Sequence, residues 1–159
     1  MGIRDEPTGQ GESIMYGVLL VTHLLAAIAF IGTLFFEVFI WHDARRPLAQ
    51  GVKDAADQAI AQRSRRVLHG VVLVLYGAGM ALAWQHRGAL SQPLSNSFGL
   101  LLCLKILLAL SIIGHYLWLA YWLKRGRLTP NRACWLRRSI LGHMVLIVVL
   151  AKAMFYWQF

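Results

Sequence analysis

Residues 97–123 read SFGLLLCLKILLALSIIGHYLWLAYWL, an apolar run in which only Lys105 and His115 are ionisable apart from phenolic and thiol groups. A helix rising 1.5 Å per residue needs about 20 residues to cross a hydrocarbon core near 30 Å thick. This stretch exceeds that length. It is apolar all round, whereas a soluble amphipathic helix keeps its apolar residues on one stripe. The run reads as a membrane span.

Three more segments of the same kind flank it, at about residues 14–42, 66–86 and 136–158. The first is too long for the apolar region of a signal peptide. It follows Asp5, Glu6 and Glu12 and lacks a clear cleavage site, so it reads as a retained helix. The whole composition agrees: 58% of the chain is hydrophobic and 14% charged, against roughly 25% charged in soluble domains. The expected fold is therefore an all-α integral membrane four-helix bundle, a single four-span domain over 14–158 behind a tail at 1–13. A soluble helix bundle is the competing class, disfavoured because the segments carry no polar face.

The basic residues orient the bundle. Residues 43–66 hold Arg45, Arg46, Lys53, Arg63, Arg65 and Arg66, and residues 124–138 hold Lys124, Arg125, Arg127, Arg132, Arg137 and Arg138. The tail has only Arg4 and the connector at 87–96 only Arg87. Short loops rich in Lys and Arg stay in the cytoplasm, which places both termini outside, in the periplasm of a bacterial inner membrane. The net charge of +9 is then a topology signal that also suits anionic lipid headgroups, and it calls for no nucleic acid. Trp41, Trp84, Trp118, Trp122, Trp135 and Trp157 lie mostly near span ends, as in an aromatic belt. Pro47, Pro93 and Pro130 fall in connectors, so no span carries a proline kink. Residues 52–63 suit a short amphipathic helix on the cytoplasmic surface. No low-complexity tract and no convincing internal repeat is apparent. Cys103 in a span and Cys134 in a basic connector form no zinc or redox motif, and the topology sets them on opposite sides of the bilayer.

Histidine carries the functional signal. His42 and His86 sit at span ends, where an interfacial role suffices. His23, His69, His115 and His143 fall inside the spans, one on each. Ionisable groups at membrane depth are costly and usually face the bundle interior; the competing reading is a histidine hydrogen-bonded to a neighbouring helix. By rise per residue, His23 lies in the outer half, about nine residues in, while His69, His115 and His143 share a layer in the cytoplasmic half.

Three imidazoles in one layer suit haem b best. A catalytic zinc site would bring close ligand clusters or an HExxH spacing, and copper would favour Cys and Met at short spacing with His; neither is visible. Haem needs one or two axial imidazoles from separate helices and an apolar slot. Without a CxxCH motif the haem would be non-covalent. Two of His69, His115 and His143 are the expected inner-layer ligands, and His23, with Lys105 or a methionine (Met80 or Met154), would hold an outer haem. One haem or two are both open. Gly70, Gly114 and Gly142 each adjoin a candidate ligand and would let a flat macrocycle near the backbone, although glycine also serves plain helix packing. Lys152 should snorkel away from the His143 face. Glu37 would pair with an inner-layer histidine or a basic group, or sit at headgroup level.

His23 in THLLAAIAFIGTLFFEVFIWH, the RRVL opening of span two, Lys105 and His115 in LKILLALSIIGH, and the RRSILGHMVLIVVLAK span together resemble the CopD-like superfamily. That superfamily includes bacterial copper-resistance D domains and the HemJ-type membrane protoporphyrinogen oxidase. The resemblance runs from residue 14 onward through loose, mostly apolar motifs. It implies a four-helix membrane bundle, with His23 and Lys105 matching the span-one histidine and span-three lysine associated with haem b in the HemJ type. The Pro-Arg pair of that type is absent, since the corresponding stretch reads FFEVFIWH, and His69 and His143 are additions.

These departures favour a b-type membrane cytochrome passing electrons within or across the membrane, with quinol, an external small acceptor or a redox partner protein. A HemJ-type oxidase, a copper permease and a small subunit packed on a larger respiratory complex are the alternatives. A haem-dependent oxidoreductase activity and homo-oligomerisation are compatible with the sequence but not dictated by it.

Overall fold

In hydrocarbon no water satisfies the backbone, so a long apolar run closes its own hydrogen bonds as a helix. The computed structural model describes residues 8–91, 93, 97–127 and 129–156, and among these it contains helices and turns but no strand. The elements are α1 (Thr8–Phe35), a π-helical turn (Phe36–Trp41), α2 (His42–Ala44), α3 (Gln50–Gln85), α4 (Arg87–Ser91), α5 (Ser97–Lys124) and α6 (Pro130–Tyr156). Four helical stretches are long and apolar enough to cross a membrane: Gln10–Ala44, Gln50–Gln85, Ser97–Lys124 and Asn131–Met154. The described residues are thus all-helical apart from turns, with four helices of the length and apolarity that a multi-pass membrane protein needs. The start of the tail (residues 1–7, with Arg4, Asp5 and Glu6), Trp157 and the last residue assigned to span four lie outside the described residues.

The helices outrun the apolar segments. The expected surface helix at 52–63 is continuous with the second span inside α3. Nothing between Arg63 and Arg66 breaks a helix, and propagating one already nucleated is cheaper than stopping and starting again. Pro47 precedes this helix and lies outside it. Likewise α6 begins at Pro130, which puts Cys134 and Trp135 in the helix rather than in a connector.

Span one has an irregularity without any proline. Residues FEVFIW (36–41) form a π-helical turn between α1 and α2. Such a turn accommodates an extra residue and re-aims the side chains beyond it, and it recurs at functional positions.

The chain divides into two compact units, one formed by residues up to Thr33 with Ala49–His86, the other by Leu34–Leu48 with residues from Arg87 onward. In the first, α1 and α3 run antiparallel: the Tyr16 ring lies 6.0 Å from that of His86, and farther along His23 reaches Leu75. Ala26, Phe30, Leu68, Leu75 and Ala78 are buried there.

In the second unit, α5 and α6 form an antiparallel hairpin whose turn is written in RGRLTP. Gly126 takes φ +64°, the left-handed conformation that ends a helix without strain only at glycine or a small polar residue. Arg127 N–H then donates to Trp122 O (3.0 Å) and Gly126 N–H to Leu123 O (3.2 Å), the paired bonds of a Schellman end. Thr129 caps the next helix: its Oγ1 accepts from Arg132 N–H (3.4 Å), with Pro130 in the first helical position. Along α6 the buried residues Leu136, Ile140, Leu141 and Met144 recur at three- and four-residue spacing. Lipid removes any hydrophobic gain from helix contact, so close packing and polar bonds must hold such helices together.

Candidate functional site: a serine–histidine clasp and a buried ion pair

Helix α5 carries SIIGH at residues 111–115 and α6 carries SILGH at 139–143. Serine and histidine four residues apart share one helix face. The hairpin is centred near Arg127, so the two copies come side by side in opposite directions. Ser111 Oγ lies 3.2 Å from His143 Nε2, and Ser139 Oγ lies 3.1 Å from His115 Nε2. The arrangement is reciprocal: each serine reaches the histidine of the other helix.

The other ring nitrogen of each histidine is tied to its own helix. His115 Nδ1–H donates to Ser111 O (2.7 Å) and His143 Nδ1–H to Ser139 O (2.7 Å). A carbonyl only accepts, which puts the proton on Nδ1 and leaves Nε2 of the neutral ring to accept from the serine hydroxyl. The two rings are 5.1 Å apart between centroids and inclined at 59°, and the Trp135 indole lies 6.3 Å from His115. All four clasp residues are half-buried.

His23 and His69 belong to the first unit. His23, half-buried on α1, donates from Nδ1 to Leu75 O of α3 (3.0 Å). Its ring lies against Gly79, where an added Cβ would sit 3.0 Å from His23 Cε1 and 3.3 Å from Nδ1. His69 is exposed on α3 and bonds through Nδ1 to Arg65 O. The four histidines inside the spans therefore share one posture, Nδ1 on a backbone carbonyl. Of the three assigned to one inner layer, the structure brings His115 and His143 into direct contact.

Lys105 is half-buried on α5 and makes no ion pair or hydrogen bond among the described residues. Met80 is exposed and Met154 buried. Lys152 points outward, its Nζ 5.2 Å from the centre of the Tyr156 ring. A Cβ at Gly70, Gly114 or Gly142 would meet nothing within 4 Å. These glycines thus border open space rather than a packed helix neighbour.

Glu37, second residue of the π-helical turn, has its side chain only 7% exposed, and Arg137 of α6 reaches it, Nε to Oε2, at 3.3 Å. A carboxylate at that depth needs such a partner. Of the partners open to Glu37, a basic group is the one found. Sequence reasoning passed over Ser111, Ser139 and Gly79, and read Arg137 only as one of the basic residues that orient the bundle. The repeated S-I-[IL]-G-H string was a readable signal for the serines, whereas nothing local announces the other two.

Comparison with family models, with curated proteins and with solved structures gives no match to this chain. Among the described residues no three His, Cys, Asp or Glu side chains gather as a metal cage.

Proposed function

We propose that this chain is a b-type haem protein of the CopD-like superfamily: a four-span bundle of the bacterial inner membrane, termini outside, that exchanges electrons with quinol or a small acceptor. One observation supports this most. His23, His69, His115 and His143 each commit Nδ1 to a backbone carbonyl, which keeps the lone pair on Nε2. That tautomer is the one a metal-binding imidazole needs, and the carbonyl on Nδ1 orients the ring and raises its basicity.

The donor set fits haem better than a closed zinc site. No cage of three His, Cys, Asp or Glu forms among the described residues, and haem asks for only one or two imidazoles. The four histidines are the candidate ligands, with Lys105 a further candidate from α5. When bound, haem b would supply one-electron iron chemistry; the protein sets its potential through ligand choice, burial and nearby charge.

The test is a reduced-minus-oxidised spectrum of detergent-purified protein, with haem counted per chain. A Soret band, and its loss or shift on His→Ala substitution, is expected. A colourless protein despite haem supplied during expression overturns the reading.

A further inference from the structure

The nitrogen that iron would need on His115 is already taken by Ser139, and the one on His143 by Ser111. A serine in a helix has an alternative acceptor, the carbonyl four residues before it, here Leu107 and Trp135. Releasing a histidine therefore strands no polar group in lipid. Each histidine also adjoins an exposed glycine, Gly114 or Gly142, where even a Cβ would find open space.

Separation of the rings limits what the hairpin can give. If His115 and His143 were both to ligate one haem iron, at about 2 Å each, their ring centres would have to stand about 6 Å apart or more. His115 and His143 are at 5.1 Å. The hairpin closed by the Schellman turn at Gly126 holds α5 and α6 side by side at that spacing.

We infer that Ser111 and Ser139 are placeholders on the ligating nitrogens of His143 and His115, and that the hairpin yields only one of these imidazoles to iron while the other stays clasped. The serines are positioning residues, and this rests on the haem reading above.

The experiment titrates hemin into detergent-solubilised haem-free protein, following the Soret band, in wild type and in S111A, S139A, S111T, S139T, H115A and H143A. Loss of one neutral hydrogen bond to the ligating nitrogen should raise hemin affinity about fivefold in one serine-to-alanine variant. The threonine variants, which keep the hydroxyl, should match wild type. Of H115A and H143A, only the one whose facing serine gave the gain should lose the ligand-bound spectrum. Nitrogen-15 resonances of the haem-free protein provide a readout independent of haem: S139A should shift Nε2 of His115, and S111A that of His143. If both histidine variants lose the spectrum, if neither does, or if no serine variant gains affinity, the inference is overturned while haem binding stands. If wild type takes up no hemin, the haem reading falls and the inference with it.

Discussion

Removing the Arg137 guanidinium should destabilise the second unit, and the structure sets the size of the effect. Arg137 Nε and Glu37 Oε2 are 3.3 Å apart, with the glutamate side chain 7% exposed and the arginine side chain 39% exposed. At an effective dielectric near 20 two unit charges at that separation attract by about 5 kcal/mol, a ceiling because the guanidinium charge is spread over several atoms. Solvent on the arginine side screens part of it, which brings the expected loss in Arg137→Ala to roughly 2–3 kcal/mol. Most of that is the penalty of a carboxylate left buried, so Glu37→Gln should cost less, about 1 kcal/mol. The double variant should fall well short of the sum. Deleting Phe39 would convert the π-helical turn to α-helix and rotate the part of the span before it by about 100° relative to the part after it. It should reproduce the Arg137→Ala loss without adding to it. Unfolding by a denaturing detergent titrated into mild micelles, read by far-ultraviolet circular dichroism, measures these four variants and the Phe39 deletion combined with Arg137→Ala. An Arg137→Ala protein within about 0.5 kcal/mol of wild type, or a coupling energy below that, would refute the reasoning.

Glycine positions separate two roles. Gly79→Ala drives a Cβ to 3.0 Å from His23 Cε1, so it should displace the ring, weaken the bond to Leu75 O and cost about 1–3 kcal/mol in the same unfolding assay. Gly114→Leu and Gly142→Leu, facing open space, should leave the haem-free stability nearly unchanged yet lower hemin affinity if a macrocycle uses that space; unchanged affinity in both counts against a slot there. Reporter fusions placed after Pro47 and after Thr129 should read cytoplasmic, and one after Ser91 periplasmic; the reverse pattern would overturn the orientation drawn from the basic loops.

Much of the fold was legible in composition alone, and much of the site was not. The run at 97–123 predicts α5 almost to the residue, because a bilayer admits only a self-satisfied helix of the right length. The histidines stood out because an imidazole in an apolar run demands an explanation. Their partners stayed hidden because apolar patterning does not say how each helix is rotated or which residue lies opposite. Glu37 shows this well: the sequence leaves it several partners, and the π-helical turn sets it against Arg137.

By itself, then, the sequence determined the helical class, the number of spans and the positions of the unusual side chains along them, since each is dictated by local hydrophobicity measured against membrane thickness. Only the tertiary structure decided that His115 and His143 hold one another through Ser139 and Ser111, and that His23 rests on Gly79. Those contacts join residues 24 to 56 positions apart. They depend on the turn geometry and the relative rotation of packed helices, which no stretch of chain encodes in isolation.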